Sequence, residues 1–463
     1  MSTPITIYAE LLSNIRQISL AVSLPSPSDP SSKITLSHTS SPSTSPSSSI
    51  SISHGNQAVQ LLLPGPVSYP GHDDLPIQRR SADGLLLTWR LPLLLSPAGG
   101  QVGQRVEAGG GGGGSSVPWE AKDLLPGGAV ACRKCKGVVV EGSKVKEWKD
   151  LPAKGWAEMM EFWHCHKPGE EHHGHGHGHG HGVAGEGKAE GEDDVDGEGE
   201  KGVKKADEAT LASRGYGAAS SISAQRAVGF VDLTTVLFEE GDCGGILFSH
   251  SSPNEGLPSR AGLPDIPSTT SNIAGLNIFC SNCHTRIGYY SHKTSAVTLF
   301  KWHLSLPTSS PSQRQPTIPE CLSSTLQATL LRTGSSKSLL LPINHLPSPF
   351  PSPTPSSPAI PPSSRPPAVL HFQILNPSLA YSSSSLPQQQ RPVPAMKLLW
   401  REITRQEADR ILDDINSDVQ EVNLPEEALG VVREELNTSN GLLPETERMY
   451  REWGVGMLRR WEG

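Results

Sequence analysis

Aromatic residues make up only 5% of this 463-residue chain, and nowhere does it run apolar for the roughly 20 residues that a membrane helix needs. The most apolar run, Leu85–Leu95, is broken by Arg90 and Pro92, so no helical span is expected. The amino terminus lacks a charged n-region ahead of an apolar h-region. No secretory signal is therefore expected, and the chain reads as soluble and intracellular, cytoplasmic and/or nuclear. A basic face is missing too: the formal charge is −8, much of it from the acidic run Glu186–Asp207, which argues against direct nucleic-acid binding. No Gly-rich phosphate loop, G-x-S-x-G elbow or H-E-x-x-H helix is present, which removes the commonest nucleotide, serine-hydrolase and metalloprotease signatures.

Much of the chain also lacks the apolar content that folding requires. Ser and Pro dominate Pro25–Ser49, glycine fills Gly109–Gly114, and Gly, His and acidic residues occupy 169–207; Pro- and Ser-rich stretches recur at 251–272, 306–319, 346–367 and 382–394. Such tracts bury too little apolar surface to offset their ordering entropy and are expected to be disordered. What remains, roughly 300 residues, suffices for one large or two smaller cores.

Within that remainder the pattern is mainly β (an α+β chain). Residues 1–100 read as a β-rich amino-terminal layer, with strands at Ile5–Leu12, Gln17–Leu24, Ala58–Leu63 and Leu85–Leu95 set off by Pro, Gly and Ser. Strand-like runs return at Val228–Phe238, Gly245–Phe248, Leu276–Phe279, Val297–Leu304 and Val369–Leu375. In Lys154–His166, Trp156, Met159, Met160 and Trp163 fall at i, i+3, i+4 and i+7, a short helix with one apolar stripe that core packing would explain. Cys321–Leu331 reads as a helix stopped by Gly334. Residues 404–463 read as a helical tail: Thr404 and Glu407 form a capping box ahead of Ala408–Ile415, and Pro425–Leu436 and Pro444–Trp461 each open on proline and glutamate.

Seven cysteines, an odd number with four in C-x-x-C pairs, favour metal binding over a disulfide framework. Cys132/Cys135 and Cys280/Cys283 are the ligand set of a structural tetrahedral zinc site, since two intervening residues let one tight turn aim both sulfurs at the same ion. A glycine follows each pair, Gly137 and Gly288. The pairs are far apart, so a shared site would clamp distant strands together, with on the order of 10 kcal/mol of folding free energy at stake. The alternatives are two unrelated pairs or a redox C-x-x-C.

Three cysteines remain. Cys165 lies nine positions after Trp156, about 180° around a helix from the apolar stripe. Its neighbours His164 and His166 favour a thiolate, hence a nucleophile or metal ligand; the alternatives are an extra zinc ligand or a half-buried helix-end thiol. Cys243, in the turn Gly241–Gly245 beside Asp242, reads as structural, and Cys321 as core. The alternating His–Gly tract His172–His181 has no fixed geometry and would bind transition metals weakly.

With these residues in hand, the chain resembles the HECT-like family of ubiquitin-ligase proteins that bind ubiquitin-conjugating enzymes. The resemblance is carried by the Cys132 knuckle, Trp148-x-x-Leu-Pro152, Trp156-x-Glu158, Trp163–His166, Gly241–Cys243, Phe279–Cys283 with Ile287–Gly288, Lys301–Trp302, and Phe372–Asn376 leading to Ala395–Lys397. These recur in family order over residues 117–403. The second knuckle is also similar to the zinc-anchored β-fold of Yippee-type proteins. The family resemblance implies binding of a ubiquitin-charged conjugating enzyme and promotion of ubiquitin transfer. It also implies a second role at the endonuclease subunit of the pre-mRNA cleavage and polyadenylation machinery, where Cys165 would reach the nuclease's metal centre. Trp163, His164, Cys165, His166, Arg286, Gly288, Lys301 and Trp302 are carried over as partner-binding candidates. No HECT catalytic lobe is recognisable. Two classes therefore compete: an enzyme in which Cys165 or Cys243 accepts ubiquitin as a thioester, and a zinc-braced binding module that does no chemistry.

Overall fold

The computed structural model describes residues 4–41, 44–68, 74–77, 85–94, 117–151, 224–249, 276–291, 296–310, 314–343, 369–386 and 391–462. The helix expected at Lys154–His166, with Trp163, His164, Cys165 and His166, lies outside the described residues, as do the His–Gly tract and the insertions 169–207, 251–272 and 346–367.

Two sheets carry most of the described chain. The first has nine strands drawn from both ends of the sequence: Met449–Tyr450, Trp453–Arg459, Val393–Ile403, Val369–Ser383, Thr6–Leu12, Gln17–Ser23 and Leu86–Pro92 lie side by side in that order. Lys337–Pro342 pairs with the first half of Val369–Ser383 and Thr6–Leu12 with its second half, while Gln420–Leu424 runs parallel to Lys337–Pro342. Between the two halves the register slips at Asn376; Pro377, which has no N–H to give a ladder, follows it. Period-two alternation then sorts the side chains. Leu370, Phe372, Leu398 and Leu458 face one way, under helix α1 (Ile318–Thr333) and helix α3 (Glu426–Asn440), which contribute Leu322, Leu326, Leu429, Val432 and Leu436. Tyr8, Leu379, Tyr381, Ala395 and Met457 form a separate cluster. There Glu10 accepts from the Tyr8 hydroxyl (2.9 Å) and from Lys397 Nζ (2.7 Å), a half-dry ion pair tying the first strand to one near the end of the chain.

The second sheet has seven strands, in the order Ile246–Ser249, Leu276–Cys280, Arg286–Ser291, Ala296–Phe300, Thr235–Glu239, Val228–Val231 and, in parallel, Glu147–Asp150. A three-stranded sheet of Leu304–Ser305, Val130–Cys132 and Val138–Val140 shares its core.

Three expectations change. The serine-rich stretch Pro25–Ser49 is largely ordered: Lys33–Ser41, Thr44–His54 and Gln57–Leu62 form a meander that buries Ile34, Leu36, Ile50 and Ile52. Composition concealed a period-two alternation of isoleucine and leucine among serines. Parts of 306–319 and 382–394 are ordered as well, because Pro316 offers its carbonyl to Arg133 (2.8 Å), Thr317 and Glu320 form the capping box of α1, and Ser382 and Ser383 end a long strand.

The carboxy-terminal region is not a helical appendage. Helix α2 (Arg405–Asp413) is capped by Thr404, whose Oγ1 accepts from the Glu407 N–H (3.2 Å), and α3 forms where expected. Pro444–Trp461, however, yields a 3₁₀ turn at Glu445–Glu447 and then the paired strands Met449–Tyr450 and Trp453–Arg459, the second of which also pairs with Val393–Ile403. Gly454 and Gly456 explain the choice. A Cβ at Gly454 would stand 3.0 Å from the Trp400 indole nitrogen and one at Gly456 2.8 Å from Leu436, so two side-chain-free positions admit Trp400 and α3.

Candidate metal centre

The two C-x-x-C pairs form matching knuckles. In the first, the Cys132 N–H donates to the Gly137 carbonyl (2.8 Å) and the Lys136 N–H to the Cys132 carbonyl (2.8 Å); in the second, Cys280 donates to Thr285 (2.9 Å) and His284 to Cys280 (2.9 Å). Lys136 and His284 both take positive φ, 62° and 54°, which reverses the chain within one turn. Gly137 therefore corresponds to Thr285. Gly288 is not its counterpart: a Cβ there would strike the Thr298 carbonyl of the neighbouring strand, next to the register shift at Ile278/Phe279.

These turns place the four sulfurs within 4.8 Å of one another. Cys132 and Cys283 are 3.7 Å apart and Cys135 and Cys280 3.5 Å. Sulfurs bound tetrahedrally at about 2.3 Å from one ion lie about 3.8 Å apart, whereas a disulfide needs about 2.05 Å. All four are free thiols, so the arrangement fits a metal ion and not a bridge. Electrostatics agree. Burial raises the Cys132 thiol and pushes Cys280 up to about 12. At Cys283 burial opposes ionisation, but hydrogen bonding by Thr285 and the neighbouring thiols outweighs it and brings the thiol down to about 6. A divalent cation would neutralise the charge that burial alone resists. Composition had no means of finding Thr285, whose Oγ1 sits 3.3 Å from Cys283 Sγ.

The surrounding core makes the clasp structural. Cys132 and Cys280 share a buried cluster with Val130, Val139, Ile278 and Leu304. The loop Gly241–Gly245 bridges the two knuckles, with Gly244 donating to Val139 in the strand after the first (2.9 Å) and Gly245 accepting from Ser281 within the second (3.0 Å). Cys243 in that loop is buried, and burial, then Asp242, Glu239 and Glu240, raise its thiol. Cys321 is also interior, pushed up to about 12 by burial.

The remaining partner-binding candidates fall in different places. Lys301 is fully buried and donates to the carbonyls of Pro118 (2.5 Å) and Trp119 (3.2 Å); burial brings its ammonium down to about 8. Trp302 is interior and stacks on Phe300 at 4.9 Å. Gly288 is buried between strands. Arg286 is partly buried, its side chain 19% exposed, with Nη1 facing Glu427 of α3 at 3.4 Å and burial lowering the guanidinium below its ordinary value. Lys301, Trp302 and Gly288 thus hold the fold together, and Arg286 is the one of the four with solvent access. Trp461 had no role assigned from the sequence: although it lies two residues beyond the strand Trp453–Arg459, it is buried in the core of the cysteine cluster.

A mostly β protein whose distant C-x-x-C knuckles close one four-thiol clasp is thus defined by geometry. The chain belongs to the family described as HECT-like ubiquitin-conjugating enzyme (E2)-binding, which it matches over residues 10–455. That span runs beyond 117–403 in both directions and takes in strands of both large sheets. Two yeast proteins share shorter stretches: an uncharacterized protein of Schizosaccharomyces pombe is 39% identical over 54 residues, 11% of this chain and 15% of its own length. An uncharacterized protein of Saccharomyces cerevisiae is 35% identical over 40 residues, 9% of this chain and 12% of its own. The matches thus cover less than a sixth of either relative's length. No solved structure matches the chain.

Proposed function

We propose that this protein is a ubiquitin-protein ligase that grips a ubiquitin-charged conjugating enzyme and promotes ubiquitin transfer to substrates for degradation, in the cytoplasm and/or nucleus. The observation that carries the reading is family membership over nearly the whole chain. The clasp is read as a structural zinc site, because four thiolates in tetrahedral spacing with no open position suit a d¹⁰ ion that holds strands together and leaves no room for substrate.

The described cysteines support a scaffold more than a covalent carrier. Transfer through a thioester needs a thiolate that attacks the ubiquitin carbonyl while the conjugating enzyme's cysteine leaves as thiolate. Cys243 and Cys321 are buried with raised thiols, and the other four close the clasp. Cys165, between His164 and His166, is the remaining candidate, on sequence grounds alone. The same block underlies the reading of a second partner, the polyadenylation endonuclease.

In single-turnover assays, charged conjugating enzyme should lose ubiquitin at least tenfold faster with this protein than without it, and Cys243→Ala should match wild type. A thiol-sensitive ubiquitin adduct that disappears in Cys165→Ala would establish the covalent route; acceleration without an adduct would establish the scaffold. No acceleration with any conjugating enzyme would refute ligase activity.

A further inference from the structure

The serine-rich amino-terminal region holds a second group of chemistry-bearing side chains, none of them a clasp residue. The loop 24–32, between the strands Gln17–Ser23 and Lys33–Ser41, meets the hairpin turn that follows His54, where the Gly55 N–H donates to Ser31 Oγ (3.3 Å). His54 is 4% exposed, and hydroxyls of the loop take both its ring nitrogens: Nε2 stands 2.7 Å from Ser26 Oγ and Nδ1 2.8 Å from Ser32 Oγ. Ser32 sets the direction of these bonds. Its Oγ accepts from the Asp29 N–H (3.0 Å) and gives its one proton to Asp29 Oδ1 (3.4 Å), so it accepts from His54 Nδ1–H as well. Nε2 is then the acceptor for the Ser26 hydroxyl. Hydrogen bonds from the Ser31 hydroxyl (2.6 Å) and N–H (2.8 Å) hold the Asp29 carboxyl below its ordinary value, so the series ends on a carboxylate. At the other end Ser26 is exposed, between Pro25 and Pro27. Its own N–H makes no hydrogen bond among the described residues, and a free amide at the nucleophile is a donor for a developing oxyanion.

We propose that Ser26 and His54 are the nucleophile and base of a site that hydrolyses carboxylic esters of small acyl groups, with Ser32 and Asp29 as positioning residues. An accessible hydroxyl rests on a buried imidazole whose far nitrogen is oriented by a third group, which is the logic of a catalytic triad whatever the fold or chain order. An exposed serine on a surface loop suits unhindered acyl groups. Ser26 Oγ attacks the ester carbonyl carbon as its proton passes to His54 Nε2; the bond from that carbon to the alcohol oxygen then breaks, and the alcohol leaves with the proton. Water, giving a proton to the same nitrogen, attacks the acyl-serine and releases the acid as the proton returns to Ser26 Oγ. One ester and one water thus give one acid and one alcohol with no other reactant. The activity is independent of ubiquitin transfer.

The test uses the full chain, a fluorophosphonate probe read by peptide mass spectrometry, and turnover of 4-nitrophenyl acetate. Ser26 should carry the label. Ser26→Ala should abolish labelling there and lower turnover roughly tenfold or more, with a melting temperature near wild type, because the imidazole keeps its bond to Ser32. His54→Gln should slow both labelling and turnover by roughly the same factor. Ser32→Ala should lower kcat with KM unchanged, a split that a merely structural role would not produce. A folded wild-type chain whose Ser26 stays unlabelled, or turnover that is the same in Ser26→Ala, would overturn the proposal and leave His54 as the pin that holds loop 24–32 to its hairpin.

Discussion

Cys135→Ser and Cys283→Ser should each release the bound metal and unfold the seven-stranded sheet region at room temperature. Each variant leaves three sulfurs, which cannot close a tetrahedron, and strands that are more than a hundred residues apart in the chain lose their clasp. Structural zinc sites of this type contribute roughly 10–16 kcal/mol of apparent binding free energy at neutral pH, as much as the whole stability of an ordinary domain. Elemental analysis and circular dichroism on protein with the His–Gly tract deleted would show both losses, the deletion removing any weak metal binding by its imidazoles from the count. Retained metal in both variants would mean that the pairs do not share an ion. Acidification should release the metal as well. Protons compete for thiolates, and the raised thiols Cys132 and Cys280 would be the most avid for them, so affinity should fall steadily as pH drops.

Trp461→Ala should cost about 3–5 kcal/mol, the range for deleting a buried large aromatic. The indole is only 4% exposed, lies in the same buried cluster as Val130, Cys132 and Leu304, and carries the Arg314 guanidinium at 4.7 Å from its ring centroid. The strand Trp453–Arg459 delivers it there, with Arg460 anchored to the Pro394 carbonyl (2.9 Å) and Gln327 (3.2 Å). The residues just beyond this strand therefore join the nine-stranded sheet to the cysteine-clasped core. Urea unfolding should show a lower midpoint for Trp461→Ala and a near-normal one for Trp461→Phe. An unchanged midpoint in the alanine variant would show that this contact does not stabilise the fold.

The ligand set was legible in the sequence because C-x-x-C spacing constrains local geometry, and the sheet regions were legible wherever apolar residues alternate. The partnership of the two knuckles was expected from the four-thiolate set, with two unrelated pairs or a redox pair as the alternatives, and the structure brings the four sulfurs within 4.8 Å of one another; spacing alone states what one turn can do and not which distant turn it meets. Serine content masked the meander at 33–62, where Ile34, Leu36, Ile50 and Ile52 are the informative residues. The strand at Trp453–Arg459 was obscured by a proline-glutamate helix signature upstream, which started only a 3₁₀ turn; the decisive residues, Gly454 and Gly456, act through Trp400 and Leu436, contacts that no local pattern encodes. Lys301 and Trp302, carried over as partner-binding candidates, lie inside the fold. A charged and an aromatic residue in a family motif invite a surface role, yet carbonyl acceptors and a stacked Phe300 hold them inside.

The most direct measurement of the account as a whole is a titration of fluorescent, ubiquitin-charged conjugating enzymes into the intact, metal-loaded chain. One-to-one saturable binding of at least one of them, lost when a chelator strips the clasp and restored by zinc, is the predicted result. Absence of binding across a complete panel of conjugating enzymes, with the protein shown folded and metal-loaded, would contradict it.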